Sequence, residues 1–486
     1  MRAMIRVYLV RGAVIGAASL AALLSPLASF AQSGDEWVAR AATVQGTVEV
    51  RRIGETQWQP VKLNDSFRPG DTIRVQERSR ADLALRDQSV LRLNANTTMT
   101  VEAVAESRTW VVDLLRGAAY FLSSGPRRLT VKTGFATAGV RGTEFYVGVE
   151  ADKAVFTIFE GTVVAQNETG TLTLTGGQSA VAVAGKAPGL LTVVRPRDAV
   201  QWAMYYPPVL YFAPEELSPA TDWRGAVLKS MEQQRSGDLQ KAFDAIAGVP
   251  DSVTEPRFFA YRASLLLAVG RVDGAGADIG RALRLAPNDA NALALQAIIA
   301  VVQGENDKAL ASAQSSVQAA PTSATAHIAL SYARQARFDL EGARLVLQTA
   351  VILDPKNALA WARLAELHSS VGELDQSLEA AQKAVELEPN LSRTQTILGY
   401  AYLTQVKTGP AKAAFEKALA LDQADPLPRL GLGLAKIREG DLSGGTADIE
   451  IASLDPNNAL VRSYLGKAYF EQKRDGLDER EFRVAK

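Results

Sequence analysis

Residues 352–392 read ILDPKNALAWARLAELHSSVGELDQSLEAAQKAVELEPNLS, and the phrase that opens this stretch, ILDPKNA, returns near its end as ELEPNLS. Pro355 and Pro389 are 34 residues apart, and the same step leads back to Pro321 in QAAPTSA and Pro287 in RLAPNDA. Three equal intervals mark an internal repeat. Between the prolines, apolar and small residues recur every three or four positions, the pattern of two amphipathic helices joined by a turn. Gly270, Gly304 and Gly372 fall at one place in the period, ahead of the second helix. A lone helix pair cannot bury its apolar face, so successive pairs must stack into a continuous superhelix with a concave groove.

The marks within the period resemble those of tetratricopeptide repeats: Trp361 and Leu364 in one unit, then Leu398, Gly399, Tyr402, Ala411, Phe415 and Ala418 in the next. Units are expected to start near residues 222, 256, 290, 324, 358, 392, 426 and 459, which makes 221–486 a run of about seven to eight repeats with the last one incomplete. The resemblance implies that the first helix of each unit faces inward. The partner groove is therefore expected to include Ile328, Tyr332, Leu359, Glu366, Arg393, Tyr400, Leu403 and Leu434. The alternative for each of these is plain packing between helices. The set is mostly apolar and lacks the Lys and Asn cluster with which chaperone-type repeats clamp a terminal carboxylate, so an extended or helical peptide segment is the expected occupant. The last unit, carrying Leu465, Gly466, Tyr469 and Phe482, lacks a polar capping helix after it. Its apolar face is expected to continue into a longer protein or to dock on a partner or another copy.

Upstream, from 37 to 194, the period falls to two. TVQGTVEV, DTIRV, SVLRLN, RLTVKT, EFYVGV and AVFTIFEG are short β-branched runs between polar turns, a sandwich or roll of about ten to twelve strands. In SVLRLN the apolar Val90, Leu91 and Leu93 sit beside Arg92 and Asn94, so one apolar and one solvated face are expected, and the other arginine-rich stretches read as solvated too. Six pieces stand in the order of the FecR domain family: GTVEV, LNDSFRPGDTIRV, ADLALRDQSVLRLN, DLLRGAAYF, TAGVRGTEFYV and FEGTVVAQ. RGTEF (Arg141 to Phe145) followed by EGTVV (Glu160 to Val164) is the most specific part. The resemblance implies an extracytoplasmic β-domain, and its best-known members relay a signal from an outer-membrane transporter to a cytoplasmic anti-sigma segment. Here no such segment is expected ahead of the apolar stretch near the amino terminus, which points away from that role. Some FecR-type regulators cut themselves at a Gly-Thr bond in a strained turn; Gly142-Thr143 is the matching position, and a plain structural turn is the simpler reading.

Residues 1–31 read as a signal peptide. Arg2, Arg6 and Arg11 flank the apolar run Gly12 to Leu24, Pro26 breaks it, and Ser29 and Ala31 place small residues before a cleavage site at Gln32. An uncleaved signal anchor is the alternative. Between the two domains, 195–220 holds five prolines together with Trp202, Tyr205, Tyr206, Tyr211 and Phe212. So many rings suggest a segment packed between the β-domain and the first helices rather than a loose linker, the alternative being an exposed aromatic patch.

Composition narrows the chemistry. Lys plus Arg and Asp plus Glu are 53 each, which argues against a nucleic-acid binder. With no cysteine and two histidines, thiol catalysis and Cys-ligated metals are excluded, and His327 and His368 have no triad partners at useful spacing. Gly431-Leu432-Gly433 lacks the preceding strand of a nucleotide fingerprint. No catalytic residue, metal or small-molecule cofactor is expected. The chain reads as a multidomain protein, an all-β FecR-like domain followed by an all-α superhelical solenoid. Its expected role is that of an exported scaffold in the periplasm or cell envelope. Protein partners are expected in the groove, and an envelope polysaccharide or outer-membrane protein is a further candidate.

Overall fold

A computed structural model describes residues 37–486 apart from 87–88, 103–109, 124–128, 194–195, 211, 213–216, 218–221, 251, 456–457, 475 and 486. The expected signal segment, and Tyr211, Pro214 and Pro219 of the junction, lie outside the described residues.

Residues 39–191 form a strand-rich domain, and a run of helix pairs follows it. Three long strands organise the β-domain: β9 (Trp110–Leu122), β11 (Thr137–Val149) and β12 (Lys153–Asn167). Each changes partner along its length. The start of β11 pairs with residues 129–132, and its end, Glu144–Val149, pairs with β9. Such switching curls the sheet around an interior of Phe67, Ile73, Leu83, Leu91, Phe145 and Phe156. Phe121 and Phe145, directly opposite in the β9–β11 register, stack at 4.5 Å. Gly142-Thr143 lies inside β11, beside a bulge in its pairing with β12, and not in a turn. The backbone geometry expected for self-cleavage is therefore not the one found.

The second face of this sheet corrects the expectation for SVLRLN. Leu91 and Leu93 point into the core as the period of two demands, but Val90 and Arg92 are buried as well, with Arg92 only 3% exposed. Its guanidinium makes a two-pronged pair with Asp82 (2.6 and 2.9 Å), the residue directly opposite on the neighbouring strand, and donates to the Ala203 carbonyl. Arg80 is buried too and donates to Gln45. The cover is a short 3-10 helix, Pro196–Ala203, together with the far end of the repeats: Val90, Tyr120 and Leu122 pack with Val200, Ala203 and Leu454. The arginines lie under another part of the chain, which alternation along a strand cannot reveal.

Among the described residues the helical region holds eight pairs, whose first helices begin at Trp223, Pro256, Ala290, Ala324, Ala358, Ser392, Pro426 and Ala459. Their starts are set by caps: Asp289, Ser323, Asn357 and Asp425 each accept a backbone N–H from the first turn of the helix they precede. The turn within each pair needs one residue in the left-handed region. Glycine fills it at 237, 270, 304, 372 and 440 and Lys473 (φ 53°) fills it in the last pair, whereas Phe338 (φ 63°) and Val406 (φ 62°) fill it at the equivalent positions of the fourth and sixth. Both are exposed, at 92% and 64%, so little packing offsets the strain. Phe338→Gly and Val406→Gly are each expected to stabilise the chain by about 1 kcal/mol, read as a higher urea midpoint with unchanged slope.

Gly431 and Gly433 have a packing reason. A Cβ at Gly431 would lie 2.2 Å from the Phe415 ring, and one at Gly433 2.6 Å from the Gly445 carbonyl, so both glycines are where helices cross closely.

The superhelix curls until its first pair meets its middle. Arg235, ending the first helix, pairs with Glu388 at 2.8 Å, ahead of the helix that starts at Ser392. At the other end, the last pair (Ala459–Glu471 and Leu477–Val484) docks on the β-domain of the same chain through Arg462 and Arg480. Only part of its expected apolar face stays open: Leu460, Phe470 and Phe482 are 53%, 64% and 42% exposed.

Candidate functional site: the concave face and its occupant

First helices of successive units place their side chains in one row because each unit repeats the same turn geometry. At the middle of that row lies a buried charge network. Arg393 donates to Glu366 (2.8 Å) and to the Tyr332 hydroxyl (3.2 Å), and Arg363 reaches Glu366 at 2.8 Å while its guanidinium lies over the Tyr332 ring at 3.8 Å. Burial works against the Glu366 carboxylate, but Arg393 and Arg363 outweigh it and hold the group down at about 2. Asp425 closes the network. Its Oδ1 caps the next helix at the Leu427 N–H (2.9 Å), while Oδ2 has no hydrogen-bond partner and lies 3.8 Å from Arg393. Burial, with the Asp422 charge adding to it, pushes Asp425 up to about 7 against the pull of Arg393.

Of the eight groove candidates, Tyr332, Glu366 and Arg393 thus share one network. Ile328 and Leu359 lie in the apolar cluster that runs from the first to the fifth unit. Tyr400 donates to the Leu427 carbonyl (2.7 Å) and packs edge-on to Phe415. Tyr400, Leu403 and Leu434 line a separate open trough of about 640 Å³ across the last three units, with Ile437, Tyr464, Arg438, Lys467 and Glu471.

The upper part of the groove already holds a piece of this chain. Residues 204–210 and Phe212, a strap between the two domains, lie across the first helices: Met204, Tyr206, Val209 and Phe212 join Ile298, Ile328 and Leu359 in one apolar cluster. Tyr205 enters the charge network, where burial beside Asp425 and Asp422 drives its phenol well above the ordinary value. A cavity of about 140 Å³ remains between strap and groove, walled by Tyr205, Leu210, Tyr261, Leu359 and Arg393 among others. The junction rings therefore pack further along the superhelix than the first helices alone.

Sequence reasoning did not find Arg363, Asp425 or Arg462, and it placed Tyr205 among packing rings between the domains rather than in a charge network. Arg363 had a faint signal, a cation three residues before Glu366 on one helix. The histidines are structural: His327 donates from Nε2 to the Pro321 carbonyl (2.8 Å), and His368 pairs with Glu373. Among the described residues no group of three or more His, Asp or Glu side chains is placed to hold a metal, and no helix is long and apolar enough to cross a membrane.

Glu144 and Glu160 join the two halves. Glu144, the glutamate of RGTEF, accepts from Tyr120 (2.8 Å) and from Arg462 (3.2 Å) of the last repeat, and Arg462 also reaches Glu481 (3.2 Å). Arg480 donates to the Ser123 carbonyl (3.1 Å) and lies 3.7 Å from Glu160 of EGTVV.

A strand-rich module clamped to a helical superhelix with a side-chain-lined groove defines a modular binding protein. The comparisons make the modules specific: the family model described as FecR protein matches residues 71–164, and the tetratricopeptide repeat model matches 358–391 and 392–425. The chain carries a FecR domain followed by tetratricopeptide repeats. It is similar to anaphase-promoting complex subunit 3 of Schizosaccharomyces pombe, 24% identical over 185 residues, covering 38% of this chain and 28% of that protein. It thus spans under a third of that relative's length. Among solved structures it is similar to the APC/C hetero-tetramer Cut9-Hcn1 (20% identity, 57% of this chain and 55% of that chain, TM-score 0.45). It is also similar to a Parabacteroides distasonis protein described as an anti-sigma factor (21% identity, 28% of this chain and 67% of that chain, TM-score 0.24).

Proposed function

We propose that this protein is an exported, non-enzymatic scaffold of the bacterial cell envelope, which holds protein partners on its repeats while the FecR domain braces the superhelix. The observation that carries the reading is the open trough at Tyr400, Leu403 and Leu434, an apolar channel across three first helices with Arg438, Lys467 and Glu471 among its lining residues. Such a channel suits an extended peptide segment with charges at its ends. Repeat relatives such as a subunit of the anaphase-promoting complex support protein partners. Export rests on the composition of residues 1–31.

The test is a photo-cross-linking residue at Leu434 in cells, combined with fractionation. A mature chain beginning at Gln32 outside the cytoplasm, with a protein adduct that Leu403→Arg abolishes, is expected. A chain retained in the cytoplasm, or an adduct indifferent to Leu403→Arg, would sink the reading. The FecR match supports a second reading, a regulator that senses an outer-membrane transporter and acts on a sigma factor. That role requires an uncleaved amino terminus held in the inner membrane, and the same fractionation detects it.

A further inference from the structure

The strap is a poor fit to the idea of ordinary interdomain packing. It runs across helices of several units instead of adding to the packing of one, and it is seated by side chains. Two of the hydrogen bonds that tie it are long, Tyr205 N–H to Asp455 at 3.4 Å and Tyr206 hydroxyl to the Gln201 carbonyl at 3.4 Å, while Tyr206 also meets the Gln303 side chain of the repeats. The cavity beneath it, about 140 Å³, is partly open and has room for several water molecules. Pro207 and Pro208 fix φ and offer no N–H donor, which favours the pre-organised extended form in which proline-rich peptides are recognised in aromatic-lined grooves. A deep polar anchor is the Tyr205 side chain, placed against Arg393, Asp425 and Tyr332.

We propose that residues 204–210 are a built-in occupant of the upper groove, and that the partner this groove takes is an extended, proline-interrupted segment carrying tyrosine, which binds by displacing the strap. The inference rests on reading the repeats as a partner-binding scaffold and names the partner's chemistry. Tethering raises the strap's effective concentration to about the millimolar range, so a free segment of equal intrinsic affinity is held off until its own concentration approaches that value, or until a second contact adds avidity. The open trough on the last three units offers that second contact: the helix Ser392–Thr404 carries Arg393 at the strap and Leu403 in the trough.

The probe is a fluorescein-labelled synthetic peptide of residues 203–210, added to the full chain. Tyr206→Ala combined with Val209→Ala weakens the strap, and the doubly substituted chain is expected to bind the peptide at least about tenfold more tightly than the unaltered chain, since the internal competitor is weakened. Equal binding by the two chains, both unfolding cooperatively, overturns the proposal. Should the variant fail to fold, hydrogen exchange on the unaltered chain decides. The amides of Tyr205, Tyr206, Val209 and Leu210 are expected to exchange at least about a hundredfold faster than those of Ile328 and Ala329, because the strap opens without global unfolding. Matching protection overturns the proposal by making the strap permanent architecture. A chain that fails these tests yet keeps its Leu434 adduct retains the scaffold function and loses only the displaceable strap.

Discussion

Arg462→Ala is expected to lower the stability of the chain by about 3–5 kcal/mol, the range for removing one partner of a buried ion pair. The guanidinium faces Glu144 and Tyr120 of the FecR domain on one side and Glu481 of the last helix on the other, and both carboxylates are at most 1% exposed. Without the arginine both acids lose a charge partner in a low-dielectric interface, while Glu481 keeps its pair with Arg480. Loss of the contact also releases the last repeat from the β-domain, so a separate early transition of residues 459–484 is expected in urea. Arg462→Met together with Glu144→Gln removes both charges of the pair and is expected to recover part of the loss. Equal urea midpoints for the Arg462→Ala and unaltered chains would show that the clamp carries no stability.

Stability is expected to rise as the pH falls from 8 to 5.5, the reverse of ordinary acid weakening. Burial raises Asp425 and Glu450 to about 7, and Asp422 is raised in the same direction. The folded state therefore binds protons that the unfolded chain, with ordinary carboxyl values, does not hold in this window. A raised carboxyl makes its full penalty felt above the folded value and sheds it as pH falls toward the unfolded one. Asp425 is faced by Arg393, Asp422, Glu366, Tyr205 and Tyr400, and Glu450 by Tyr469, Arg474 and Arg480. Glu366, held at about 2, acts oppositely, but its contribution falls away only below its unfolded value of 4.5, outside the window. Asp425→Asn keeps a helix cap of equal quality and removes one titrating group. At pH 8 it is expected to stabilise by an amount on the order of 1–3 kcal/mol, with a flatter pH profile. Identical slopes for variant and parent between pH 5.5 and 8 would refute the assignment to Asp425.

Much of the architecture was legible because it is local or periodic. The helix pairs follow from a 34-residue period of small and apolar residues, and the β-domain from alternation and turn residues. The FecR pieces stood in order along the chain. Less of the groove was legible. Tyr332 and Glu366 stand 34 residues apart at one phase of the period, and Arg393 stands 34 after Leu359 at another, so the period relates positions but not the contact between them. Arg92 was misread as solvated because alternation assigns a face, and only the rest of the chain decides what covers that face.

What the sequence by itself determined is the kind and order of the modules: periodicity reports the conformation of neighbouring residues, and each unit buries its apolar stripe against the next. What only the tertiary structure decided is what the modules do to each other. Arg462 and Glu144 are 318 residues apart, and Gln423 accepts from the Val44 N–H across 379. No local pattern encodes such a pairing. It exists because the superhelix curls back onto the β-domain, and burial there turns charged residues that read as surface into a clamp and a groove already occupied by the chain's own tyrosines.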